Sequence, residues 1–173
     1  MNPAVLMVDM QPGYLKYVNW RSRLVDNQKK ILGFCKDKDI PVVKIEFTGV
    51  CRGLTIEELD EEWRKVPRRS YVSKHKCNAF ENPYLEIRLS AWDANCLLAI
   101  GISGSECIYD TALGAKREGF EIFTSYGLIA DNFIEYEPNK GLDVSTPLLS
   151  SPDVCPLLES VDAAIGKLEE MLK

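Results

Sequence analysis

The chain predicts an α/β fold: an open, mainly parallel, doubly wound sheet with helices on both faces. Short apolar runs at residues 4–8, 40–45, 94–102 and 120–124 have the length of strands, and segments of helical spacing lie between them. The run ending at Ile102 is continuously apolar rather than alternating, the pattern of a strand covered on both faces. Strands alternating with helices imply right-handed crossovers, and in such sheets ligands bind beyond the carboxyl ends of the strands.

Taken in order, residues 4–8 form a buried strand that ends in Asp9, with a Pro12-Gly13 turn signal close behind. Leu24, Val25, Ile31, Leu32 and Phe34 recur at helical spacing and predict a helix over about 21–37. Residues 40–45 are the next strand, with Pro41 at its start. The charged segment 57–65 reads as a solvated helix or part of a lid. Residues 71–73 form a short extended segment leading to Lys74, and Asn82-Pro83 supplies an N-cap and a first-turn proline to a following helix. The strand at 94–102 breaks at a Gly-Ile-Ser-Gly-Ser turn, after which a helix begins around Cys107 and ends at Gly119. Residues 131–156 read as irregular, and an amphipathic helix over about 157–172 closes the sequence.

With 173 residues, the chain is expected to form one domain, 1–173, with a substantial core. A hydrophobic fraction of 46% and a charged fraction of 27% fit a soluble globular protein, and a net charge of −5 disfavours nucleic-acid and anionic-membrane partners. The apolar runs are too short to cross a bilayer, and Asp9 stands where a signal peptide needs apolar residues, so a cytoplasmic location is expected. The six cysteines include no Cys-x-x-Cys pair, which leaves zinc-ribbon and thioredoxin-type motifs unsupported and suggests reduced thiols.

Cys107 is the first candidate nucleophile. A thiol in the first turn of a helix meets unpaired N–H groups and the positive end of the macrodipole, which favours the thiolate. Its ordinary alternative is a buried cysteine that only fills space. Asp9 reaches the same sheet edge from a remote part of the chain, which strengthens the functional reading.

Three stretches together resemble the isochorismatase-like cysteine hydrolase family: Asp9 followed by Gln11 and the aromatic Tyr14, Lys74 six residues before the Phe80 of Ala79-Phe80, and Cys107 six residues after Gly101 with Thr111-Ala112 beyond. The resemblance implies an Asp9–Lys74–Cys107 triad, in which Asp9 moves the thiol proton and Lys74 stabilises the thiolate. It further implies a cis peptide between Ile102 and Ser103 that aims the backbone N–H of Ser103, with that of Cys107, at a developing oxyanion. A plain connecting turn is the alternative for this segment. Tyr14 and Phe80 are candidates for substrate binding, although aromatics at such positions equally serve as core.

The nicotinamidase branch of the family holds a metal through an Asp and several His. This chain has one histidine, His75, so the expectation is no catalytic metal and no cofactor. An Asp common in the family after the fifth strand corresponds to about Gly127 here. Retention of Cys107 implies a small amide or carbamoyl substrate attacked through a thioester, and the family is commonly homo-oligomeric. A silent binding or scaffold protein of the same fold, or a thiol-redox protein using Cys107, are the rival functions. Trp63, Trp92 and the cysteines at 35, 51, 77, 96 and 155 are taken as structural.

Overall fold

The computed structural model describes residues 1–49, 52–131 and 146–173. Its core is a parallel sheet whose main path runs β3-β2-β1-β4-β5-β7, built from β1 (Pro3–Val8), β2 (Val42–Phe47), β3 (Arg69–Lys74), β4 (Cys96–Ile102), β5 (Glu121–Ser125) and β7 (Leu157–Leu158). The short β6 (Ile129–Ala130) pairs with the far end of β4. Every strand pairing among the described residues is parallel, as expected from the apolar runs.

β1 is wholly buried and lies between β2 and β4, pairing Val8 with Ile45 on one side and with Gly101 on the other. Its residues alternate between two apolar layers. Val5 and Met7 join a cluster with Leu24, Ile31 and Leu32 of α2 (Arg21–Lys38) and Leu168 of α7 (Val161–Met171). Ala4, Leu6 and Val8 pack on the other side with Leu85 and Leu89 of α4 (Pro83–Ser90) and Ala112 and Ala115 of α5 (Tyr109–Arg117). The sheet is therefore doubly wound. The strand order reverses direction at β1, so the crevice beyond β1 and β4 is the topological switch point at which such folds bind ligands.

Several boundaries differ from the sequence reading. β2 runs from Val42 to Phe47, two residues later than expected at each end, because the strand begins after Pro41 and its register with β3 carries it to Phe47 opposite Lys74. Glu57–Arg64 is helical (α3), but it is no free-standing solvated face: Leu59 is fully buried and Trp63 packs against the α2 layer. The closing helix starts at Val161, where Ser160 caps the N–H of Ala163, because Leu157 and Leu158 are drawn off to pair with β5. Of the segment expected to be irregular, the described part contains one turn of helix, α6 (Pro147–Ser150), while residues 132–145 lie outside the described residues. The remaining short helix is α1 (Pro12–Leu15), which follows β1 directly. Among the described residues no helix is long and apolar enough to cross a membrane.

Candidate active site

Asp9 is the first residue past β1. Its N–H donates to Ile45 O at 2.9 Å, continuing the sheet, while its own φ of 53° turns the chain sharply, a conformation that Asp tolerates better than most residues. Gln11 then fixes the turn. Its amide accepts the N–H of Phe47 at 2.9 Å and donates to the carbonyls of Phe47 at 3.1 Å and Gly53 at 2.5 Å. The side chain thus does for the end of β2 what a further strand residue would do. Sequence reading used Gln11 only as part of a motif and did not find this role.

Lys74 ends β3 and is 2% exposed. A buried ammonium requires acceptors and counter-charge. Its Nζ lies 2.8 Å from Asp9 Oδ2 and 3.0 Å from Cys107 Sγ, and donates to the carbonyls of Cys77 at 3.2 Å and Lys76 at 3.3 Å. The ring of Phe47 lies 4.9 Å from the same nitrogen. Both Asp9 carboxylate oxygens are buried, and the Lys74 ammonium is the counter-charge beside them.

The loop after Lys74 is held by α5. Thr111 Oγ1 accepts from the N–H of Ala79 at 3.1 Å and donates to Cys77 O at 3.3 Å, and Asn78 caps the N–H of Phe80 at 2.9 Å. Gly114 allows this close approach, because a Cβ there would meet Asn78 Oδ1 at 2.3 Å.

Cys107 follows β4. Gly101 adopts φ 133°, and a Cβ at that position would stand 2.0 Å from Val8 O, so glycine is required where β4 crosses the end of β1. The Ile102–Ser103 peptide is cis, as the family resemblance implied. Residues Gly104–Ile108 then form a wide π-type turn, closed by Ile108 N–H donating to Ser103 O at 2.9 Å, before α5 begins at Tyr109. Cys107 thus sits in this turn rather than in the first turn of an α-helix. Asp131 clamps the turn from outside: Oδ1 accepts from Ser103 Oγ at 2.7 Å and from Ser105 N–H at 2.6 Å, and Oδ2 accepts from Thr146 Oγ1. The departure noted at Gly127 therefore leaves the turn with a carboxylate after all, supplied four residues later.

The electrostatics follow from burial. Asp9 is pushed above the ordinary carboxyl value, chiefly by desolvation, with the charge and hydrogen bonding of Lys74 opposing. The Cys107 thiol is likewise raised, first by burial and then by the charge of Asp9, while Lys74 pulls it down. For Lys74, burial disfavours the ammonium, but the charges of Asp9 and Cys107 outweigh it and the net shift is upward. Burial of a thiol only 5% exposed thus works against the thiolate, and the Lys74 ammonium works for it.

Of the remaining candidates, Tyr14 is half-buried at the start of α1, and its phenol is raised to about 12, by burial first and then by the charge of Asp9. Phe80 packs its ring on Phe120 with centroids 5.5 Å apart, at the edge of the α4–α5 layer. His75 is exposed, with Nδ1 2.6 Å from Thr48 Oγ1. Among the described residues no three His, Cys, Asp or Glu side chains converge as a metal-ligand set. Cys35, Cys77, Cys96 and Cys155 are free thiols, and Cys51 lies outside the described residues.

Comparison with solved structures places this geometry. The chain is similar to MAR1 ribonuclease of Caenorhabditis elegans, at 14% identity over 95% of this chain and 79% of that one, with a TM-score of 0.78. It is similar to the YcaC gene product of Escherichia coli, an octameric hydrolase of unknown specificity, at 21% identity over 91% of this chain and 74% of that one, with a TM-score of 0.74. It is also similar to N-carbamoylsarcosine amidase of Thermoplasma acidophilum, at 17% identity over 94% and 98% of the two chains, with a TM-score of 0.72. No curated protein matches the chain in sequence. At these identities the likeness is one of fold, which hosts more than one chemistry. The family model for the isochorismatase domain matches residues 3–128, a span that takes in Asp9, Lys74 and Cys107, and the chain accordingly belongs to the isochorismatase family.

Proposed function

We propose that the chain is a cysteine hydrolase that cleaves the C–N bond of a small amide or carbamoyl compound through a thioester on Cys107. The observation that carries this reading is the position of Lys74 Nζ, 2.8 Å from Asp9 and 3.0 Å from Cys107, with all three side chains buried. A base, a cation and a nucleophile in mutual contact are what thiol-mediated acyl transfer needs.

In this reading Asp9 takes the Cys107 proton as Sγ attacks the carbonyl carbon. The raised Asp9 carboxyl and the nearby ammonium make that transfer less costly than it would be in water. The tetrahedral oxyanion is received by the backbone N–H groups of Ser103 and Cys107. Protonated Asp9 then gives its proton to the leaving nitrogen, the C–N bond breaks, and ammonia or an amine departs. Water attacks the thioester with Asp9 as base, the C–S bond breaks, and the proton returns to the thiolate. Each step uses groups of the chain itself, without metal or cofactor, and His75 stands outside it on Thr48. Tyr14, in the turn that follows Asp9, is the candidate to meet substrate, whereas the packing of Phe80 on Phe120 favours a supporting role for that ring.

The same reading takes residues 1–173 as one cytoplasmic domain acting as a homo-oligomer. The single sheet shared by both apolar layers and the free thiols support it, as does the exposure of Tyr71, Tyr84 and Ile87 near the β3 edge. Light scattering on the purified protein measures the copy number.

Intact-mass spectrometry after incubation with small primary amides and carbamoyl compounds, with ammonia assayed in parallel, tests the chemistry. Wild type is expected to carry an acyl adduct and release ammonia, and Cys107→Ala to do neither. Ammonia release undiminished in Cys107→Ala would refute the thioester.

A further inference from the structure

The ladder between β1 and β4 ends at the pair Val8–Gly101, so beyond it Asp9 and the turn that leads to Cys107 leave the sheet on separate paths. Gln28 of α2 reaches both. Fully buried, its Nε2 donates to Met10 Sδ at 3.4 Å and to Leu128 O at 2.9 Å. Met10 is the residue next to Asp9. Leu128 O also accepts the N–H of Gly101 at 3.0 Å, and from Leu128 the chain continues as β6, pairing Ile129 with Gly101 and Ala130 with Ile102. It then reaches Asp131, whose carboxylate holds Ser103 and Ser105. The neighbouring Asn27 secures the same corner by donating to Gly127 O at 3.1 Å.

Stability does not account for this amide. Both of its contacts are acceptors, so the nitrogen must face them, and Oε1 is left buried with no partner among the described residues. An acceptor buried in that way is unfavourable. Nor do the contacts need the amide: Leu128 O keeps the Gly101 N–H, and a thioether is only a weak acceptor. Met10 and Leu128 belong to the apolar layer between α2 and the sheet, where a methionine at position 28, unbranched and of similar helix propensity, would pack. What methionine lacks is a pair of directed N–H groups that tie two points to each other.

We propose that Gln28 is a positioning residue, which fixes Asp9 relative to the turn carrying Ser103 and Cys107 so that base, nucleophile and oxyanion donors keep their spacing. The kinetic consequence rests on the proposed hydrolase, whereas the structural one does not. Misplacing reacting groups slows a reaction far more than the same small movement lowers stability.

Gln28→Met tests this, with three readouts on the full chain. The urea midpoint is expected to stay at or above that of wild type, since no native group loses its last partner. Amide hydrogen exchange is expected to quicken about tenfold in peptides covering residues 101–108 and to stay unchanged in α4 and α7. For ammonia release, kcat is expected to fall about tenfold with KM unchanged, the signature of lost positioning in the transition state. A lowered urea midpoint makes Gln28 an ordinary stabilising core residue and overturns the proposal, as does unchanged exchange at 101–108. Faster exchange with kcat unchanged overturns it too, because the tie then positions nothing that the reaction uses. Faster exchange where wild type itself releases no ammonia from small amides or carbamoyl compounds upholds the tie and counts against the amidohydrolase reading. Unchanged exchange in a protein that does release ammonia rejects the positioning role alone.

Discussion

Lys74 joins three consequences in one side chain: it neutralises Asp9, lowers the cost of a thiolate on Cys107, and draws the following loop inward through the carbonyls of Lys76 and Cys77. Removing it leaves a buried carboxylate unpaired, so Lys74→Ala is expected to cost about 3–5 kcal/mol of stability, measured by urea unfolding. Replacement by Met keeps volume and separates packing from charge, and should still lower ammonia release by at least ~100-fold. Because burial raises the Cys107 thiol, its thiolate fraction at neutral pH lies below that of a free cysteine. Alkylation by iodoacetamide should accordingly be slow at pH 7 and climb as pH passes the ordinary thiol range. A rate at pH 7 equal to that of a denatured control would contradict this assignment. Asp9→Asn removes the charge that helps raise the thiol, so it should speed alkylation while abolishing turnover, a split that a purely structural Asp9 would not produce.

Turns between elements set the geometry that the strands alone leave open. Gly114 lets α5 touch the Asn78 cap, and Gly114→Ala should displace the loop after Lys74, costing about 1–3 kcal/mol and lowering activity together, as read by thermal unfolding and ammonia release. At this scale the limits of the sequence are plain. Asp9, Lys74 and Cys107 were legible because each stands at or just beyond the carboxyl end of an apolar or extended run, and parallel sheets gather such ends on one edge. The longer strands β1 to β5 were legible for the same reason, down to the continuous run of β4, whereas the two-residue β6 and β7 were not. Asp131 was not, because its partners Ser103 and Ser105 lie across the sheet edge and nothing local marks it. Nor was the π-type turn, whose extra residue is imposed by contacts on both sides rather than by propensity. The α7 boundary was missed because a two-residue strand pairing with β5 outcompeted helical spacing at Leu157 and Leu158.

Across the whole molecule, buried thiols other than Cys107 tie stability to pH. Burial pushes Cys35 and Cys155 up to about 12. In the unfolded chain these thiols lose their protons near 8.5, so between the two values the native state holds more protons and stability falls as pH rises. Each contributes a slope of up to about 1.4 kcal/mol per pH unit across that window, and none below it. Urea midpoints at pH 8 and pH 10 measure the slope, and Cys35→Ala should reduce it even if it lowers stability overall. The strand order has a further consequence. Asp9, Lys74 and Cys107 come from the ends of β1, β3 and β4, and β2 must be seated between β1 and β3 before Lys74 can reach the other two. These are distant pairings, which form late when loop closure precedes reward. A partly assembled sheet therefore leaves Cys107 open to solvent and more reactive than the finished enzyme leaves it, so burial of this one thiol is a clock for the completion of folding.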